Sequence, residues 1–153
     1  MNPHREPSPG EAPATACAAV DSTPGVAAQA RGPHSRVLVV DDEAYAREAM
    51  ALLLQQQGYR VCVACSGPEA LELAQAFEPD VVLLDVAMAG MDGFETALRL
   101  RAAAPGRACP RLIAVSGYGG EEFGVACRRA GFDHCLTKPV ARATLLGLIE
   151  GLR

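Results

Sequence analysis

The chain has almost no lysine. Of its 14 basic residues 13 are arginine, and Lys138 stands alone. Basic residues are outnumbered by 18 acidic ones, so the net charge is −4 at pH 7 and the pI is near 5.3. That balance excludes a protein working on nucleic acid through a basic surface. Long apolar runs are lacking too: none approaches the ~18 residues of a membrane span, and no membrane insertion is expected. The stretch Ala12 to Val20 contains Pro13 and no leucine and is flanked by Glu11 and Asp21, which does not fit a secretory leader. Six cysteines in 153 residues are too few for a disulfide-stapled miniprotein. Reduced thiols and a cytoplasmic location are therefore expected.

Large aliphatic residues are scarce at the start of the chain. Residues 1–35 hold six of the eleven prolines and, of the large aliphatics, only Val20 and Val26. Such a segment cannot bury enough apolar surface to offset its ordering entropy, so a disordered Pro/Ala-rich tail or linker is expected there. Residues 36–153 suffice for one core.

Within 36–153, short apolar runs alternate with helical patterns. Val37 to Val40, Tyr59 to Ala64, Val81 to Leu84, Leu112 to Val115 and Cys135-Leu136 read as strands. The first, third and fourth are apolar on both faces, as in parallel strands covered by helices on each side. Helices are predicted over about 44–57, 67–77, 93–104, 121–130 and 141–152. Ser66-Gly67-Pro68-Glu69 carries capping-box spacing with proline at the helix start. Leu145, Leu148, Ile149 and Leu152 form one helical stripe. Gly58 and Gly131 stand where helices one and four should end. The repeated βα pattern with short connections predicts an α/β fold, a doubly wound (βα)5 three-layer sandwich on a parallel sheet.

Ligands bind such sheets beyond the carboxyl ends of the strands. Strand one runs into Asp41-Asp42, strand three into Asp85, strand four into Ser116 and strand five into Thr137-Lys138. One edge thus collects three carboxylates, a hydroxyl and the only ammonium. Two unit charges ~4 Å apart repel by about 4 kcal/mol at an effective dielectric of 20. A hard cation relieves that, and a few carboxylates with positions left for water and phosphate suit Mg²⁺. Neither histidine nor cysteine lies at these strand ends, which disfavours transition metals.

The common phosphate-binding loops are missing as well. No Gly-x-x-x-x-Gly-Lys or Gly-x-Gly-x-x-Gly follows strand one, and carboxylates there would repel a nucleotide phosphate. Ser116 lacks the Gly-x-Ser-x-Gly elbow of a hydrolase. What remains is a carboxylate nucleophile toward a phosphoryl group.

At this point the residues carry a resemblance. Val39-Val40-Asp41-Asp42-Glu43, Leu83-Leu84-Asp85 through Asp92-Gly93, Val115-Ser116-Gly117-Tyr118-Gly119 and Ala130-Gly131 through Lys138-Pro139-Val140 resemble the CheY-like receiver domain of two-component response regulators. The resemblance covers essentially all of 36–153 and implies a flavodoxin-like sheet in the order 2-1-3-4-5. It implies Asp85 as phosphoacceptor, with Asp42, Asp85 and the Ala87 carbonyl holding Mg²⁺ and Asp41 assisting through water. Lys138 would pair with a phosphoryl oxygen and Ser116 would hydrogen-bond another, and the Lys138–Pro139 bond is expected to be cis. The implied donor is a histidine kinase or histidine phosphotransfer protein, and the implied output is a downstream protein partner. The chain would then be a signalling phosphoacceptor and not an enzyme beyond its own phosphorylation and dephosphorylation. Gly117-Tyr118-Gly119 and Gly131-Phe132-Asp133-His134 are similar to receivers of hybrid histidine kinases. No output domain is expected after the fifth helix.

Two readings of other classes stay open: a Mg²⁺-dependent small-molecule phosphohydrolase using Asp85, and a phosphorylation-independent binding module. Ala87 two residues after the nucleophile speaks against the first. Cys135, where receivers place an aromatic or histidine switch residue, motivates the second. Ala89 stands where receivers usually have proline, which predicts a less rigid loop. Cys62-Val63-Ala64-Cys65 is not read as a metal or redox pair, because i and i+3 on a strand face opposite ways. Arg128-Arg129 reads as a solvated helix face, with a partner contact as the alternative.

Overall fold

The computed structural model describes residues 35–104 and 108–151. The expected tail, apart from Ser35, and Leu152 lie outside the described residues. Strands β1 (Arg36–Val40), β2 (Arg60–Ala64), β3 (Val81–Asp85), β4 (Arg111–Ser116) and β5 (His134–Thr137) alternate with α1 (Ala44–Gln56), α2 (Gly67–Phe77), α3 (Gly93–Ala102), α4 (Glu121–Ala130) and α5 (Arg142–Gly151). All neighbouring strands pair in parallel, in the order β2-β1-β3-β4-β5. The parallel sheet is the one expected from the βα repeat, and its strand order is the one the resemblance implied.

Strand alternation sorts the core into two layers. Leu38, Val40, Val82, Leu84, Leu112 and Ala114 pack toward α2, α3 and α4. Val37, Val39, Val81, Leu83 and Ile113 pack toward α1 and α5, where Leu54, Leu145 and Ile149 meet them. Leu148 of the predicted α5 stripe is only half-buried against this layer.

Helix ends follow local chemistry with small corrections. Ser66 Oγ accepts the Glu69 N–H at 3.3 Å, half of the capping box. The Glu69 carboxylate reaches back one residue further than expected, accepting the Cys65 N–H at 2.8 Å. Gly67 opens α2 and Pro68 follows it. Gly131 ends α4 at φ 92°, a left-handed conformation that favours glycine. Helix α3 stops at Ala102, two residues short of the expected end, and Tyr59 is buried but precedes β2. Cys65, Cys109, Cys127 and Cys135 are free thiols.

Candidate phosphoacceptor site

The consecutive acids after β1 take three different tasks. Asp41 is buried, and its Oδ1 accepts the Glu43 N–H at 2.9 Å. Asp42 is exposed, and its Oδ2 accepts the Ala89 N–H at 3.2 Å, tying the loop after β1 to the loop after β3. Glu43 caps α1, accepting the N–H groups of Tyr45 and Ala46 at 3.2 and 2.6 Å. Proline has no N–H to offer. Ala89 therefore anchors its loop through a bond that the usual proline could not make.

Asp85 ends β3 with a side chain only 7% exposed, and its Oδ1 accepts the Ala87 N–H at 3.1 Å. The start of α3 lies hard against it: a Cβ on Gly93 would sit 2.5 Å from the Asp85 carbonyl oxygen. Any other residue at position 93 would push helix and nucleophile apart. Ser116 ends β4 fully buried, and its Oγ accepts the Tyr118 N–H at 3.0 Å. The Lys138 N–H donates to the Ser116 carbonyl at 2.7 Å, which clamps the end of β5 to the end of β4 just before the cis Lys138–Pro139 bond.

These elements bring the strand-end charges together. Carboxylate oxygens of Asp41, Asp42 and Asp85 lie within 4.8 Å of one another. Lys138 Nζ stands between two of them, 3.4 Å from Asp41 Oδ2 and 3.5 Å from Asp85 Oδ2. Burial, and then the Asp41 charge, push the Asp85 pKa above the ordinary carboxylate range against the pull of Lys138. For Lys138, burial works against the ammonium, but Asp41 and Asp85 outweigh it and its pKa is raised. One ammonium at hydrogen-bond limit cannot neutralise three carboxylates. The donor set, hard oxygens with no nitrogen or sulfur, fits a divalent cation of the Mg²⁺ kind.

A scan against family models matches residues 37–150 to the response regulator receiver domain. The chain belongs to the response regulator receiver family. Protein PilH of Pseudomonas aeruginosa is 35% identical over 118 residues, covering 77% of this chain and 97% of PilH. Protein-glutamate methylesterase/protein-glutamine glutaminase 5 of Myxococcus xanthus is 44% identical over 112 residues, 71% of this chain, but the chain spans only 31% of that protein. The solved structure of Vibrio cholerae chemotaxis protein CheY4 superposes with a TM-score of 0.73 at 30% identity, covering 78% of this chain and 99% of that one. The receiver serves as a phosphoacceptor module in two-component signalling, and the metabolite-phosphohydrolase reading is not favoured.

Of the residues singled out from the sequence, Asp41, Asp42, Asp85 and Lys138 converge in the receiver. Ser116 is joined to them through its backbone, and Ala87 through the N–H it gives Asp85. Cys135 is half-buried beside fully buried Cys127, whose pKa is pushed up to about 12 by burial and by a hydrogen bond with Cys135. A thiol pair thus occupies the ground between α4 and β5 where receivers usually hold an aromatic. The Arg47 guanidinium donates to the Asp41 carbonyl at 2.9 Å, a support the sequence did not announce. Nothing in the spacing of Asp41 and Arg47 marks that bond, which depends on how α1 leaves the loop.

Proposed function

We propose that Asp85 accepts a phosphoryl group from a histidine kinase or histidine phosphotransfer protein, and that the altered surface is then read by a protein partner. The observation that carries this reading is the convergence of three carboxylates within 4.8 Å around one lysine at the carboxyl edge of the sheet. In the transfer, an Asp85 oxygen forms the O–P bond while the donor's N–P bond breaks and the imidazole nitrogen keeps the electron pair. Asp41, Asp42, Asp85 and the Ala87 carbonyl are the residues that would hold Mg²⁺. When bound, the ion offsets the negative charge that builds on the phosphoryl oxygens. Lys138 holds one of those oxygens from the opposite side, and the Ser116 hydroxyl, whose Oγ accepts the Tyr118 N–H, donates its own proton to another.

We place the receiver over residues 36–153 in the cytoplasm, as a signalling module whose only chemistry is its own phosphorylation and dephosphorylation. Among the described residues no helix is long and apolar enough to cross a membrane. The test is to incubate the chain with Mg²⁺ and acetyl phosphate and follow its intact mass. A gain of one phosphoryl group that is absent in Asp85→Asn is expected. Labelling retained by Asp85→Asn would overturn the assignment. Multiple turnover of a metabolite phosphate would indicate a phosphohydrolase, and no labelling a phosphorylation-independent binding module.

A further inference from the structure

A groove of about 690 Å³ runs between α3 and α4. Its apolar walls include Phe94 and Leu98 on α3 and Val125 and Ala126 on α4, and Leu98 is 53% exposed. Phe94 is fixed from beneath by Phe123 and Phe132, with ring centroids 6.3 Å away in each case. The wall is therefore a rigid surface and not a side chain free to fold over the gap.

The charges on α4 are arranged by end. Glu121 and Glu122 occupy its first turn, and Arg128 and Arg129 its last. Glu122, Val125, Ala126 and Arg129 follow i, i+3, i+4, i+7 spacing and form one stripe along the groove. Among the described residues neither Glu122 nor Arg129 takes part in an ion pair, whereas Glu95 and Arg99 on α3 pair at 2.8 Å. The stripe is evenly spaced about the point between Val125 and Ala126 and reverses its charge across it: an acid at one end, a base at the other, apolar side chains at the centre.

We propose that this groove seats α4 of a second copy of the chain, antiparallel, on a twofold axis passing between Val125 and Ala126. This goes beyond the phosphoacceptor reading and uses none of its residues. In a twofold contact each residue meets its counterpart reciprocally, so Glu122 faces Arg129 of the second copy twice over. A parallel pairing would set acid against acid and base against base, which fixes the orientation. The small central residues let the helices approach, and Leu98 of each copy closes over the other's α4. An unrelated partner would have to reproduce this charge order, whereas a second copy carries it by symmetry. A 10-residue helix offers less than the ~800 Å² per partner of a standard stable interface, so the dimer is weak and concentration-dependent.

The test is sedimentation equilibrium of the full chain from roughly 10 μM to 1 mM, the range in which an interface of this size associates. Wild type is expected to shift from monomer to dimer. Glu122→Arg and Arg129→Glu each place like charges across the axis and are expected to weaken the dimer at least about tenfold. The double variant Glu122→Arg/Arg129→Glu restores the complementarity with its sign reversed and is expected to recover dimerisation. Both positions are exposed, so folding, followed by circular dichroism, is retained. A wild type that stays monomeric throughout overturns the proposal and leaves the groove to another protein. So does a dimer indifferent to the single reversals, or a folded double variant as weak as they are.

Discussion

The two edges of the sheet handle charge in opposite ways. At the amino edge two acids are held in short bonds: Asp133 Oδ2 accepts from Arg101 Nη2 and from the Leu112 N–H, both at 2.8 Å. Asp80 Oδ2 likewise accepts the Arg36 N–H at 2.8 Å. At the carboxyl edge three carboxylates crowd one ammonium, which reaches two of them at 3.4 and 3.5 Å, and burial pushes the Asp85 pKa up. These bonds at the amino edge join β1 to the start of β3, and α3 to the starts of β4 and β5, and serve folding. The carboxyl edge sets three carboxylates around one ammonium, an oxygen donor set that fits a divalent cation.

Breaking the amino edge should have the largest effect on stability. Arg101 also donates to the Gly131 carbonyl, at 2.6 Å from Nη2, so it ties the end of α3 to the end of α4 and the start of β5. Arg101→Ala is expected to lower the unfolding free energy by about 1–3 kcal/mol in urea titrations, the range for charge-assisted bonds to partly buried groups. Phosphoryl acceptance by the folded fraction is expected to be unchanged. Loss of acceptance without loss of stability would erase the distinction between the edges.

The carboxyl edge should respond with the opposite sign. Asp85→Asn removes a carboxylate that burial and Asp41 disfavour. Without divalent cations at neutral pH, the variant is expected to be more stable than wild type by about 1 kcal/mol, read from thermal unfolding. Because the folded pKa of Asp85 is raised, wild type takes up a proton there as pH falls toward 3.8 and regains that stability. The gap between the two proteins should therefore close on acidification. A gap that widens would contradict the charge account.

Smaller again is the effect expected of Lys138→Arg. The charge is kept, but a planar guanidinium replaces a compact ammonium between Asp41 and Asp85. Stability should stay within about 0.5 kcal/mol and Asp85 should still be phosphorylated. Phosphorylation-dependent partner binding should weaken, measured by pull-down with and without acetyl phosphate. Unchanged partner binding would remove Lys138 from the switch.

The carboxyl edge was far more legible in the sequence than the amino edge. Asp41, Asp42, Asp85, Ser116 and Lys138 each end a recognisable strand, and a parallel sheet sends all strand ends to one side. Arg101 and Asp133 are 32 residues apart on no shared pattern, so only the packing of α3 beside α4 discloses their contact. The same holds for the Ala89 N–H on Asp42, which turns an apparent departure from the family into an alternative anchor. The groove was hidden for a related reason. Arg128-Arg129 looks like an ordinary solvated face until Leu98 of α3 is set beside α4.

The proposal that the carboxyl edge holds a divalent cation is tested most directly by thermal unfolding across a Mg²⁺ titration. Wild type should gain about 1.4 kcal/mol at roughly ten times the dissociation constant, seen as a rise of several degrees. Arg101→Ala should rise in parallel from a lower start, and Asp42→Asn should rise less. A wild-type midpoint that does not move with Mg²⁺, or an Asp42→Asn midpoint that climbs as steeply as wild type, would contradict the account.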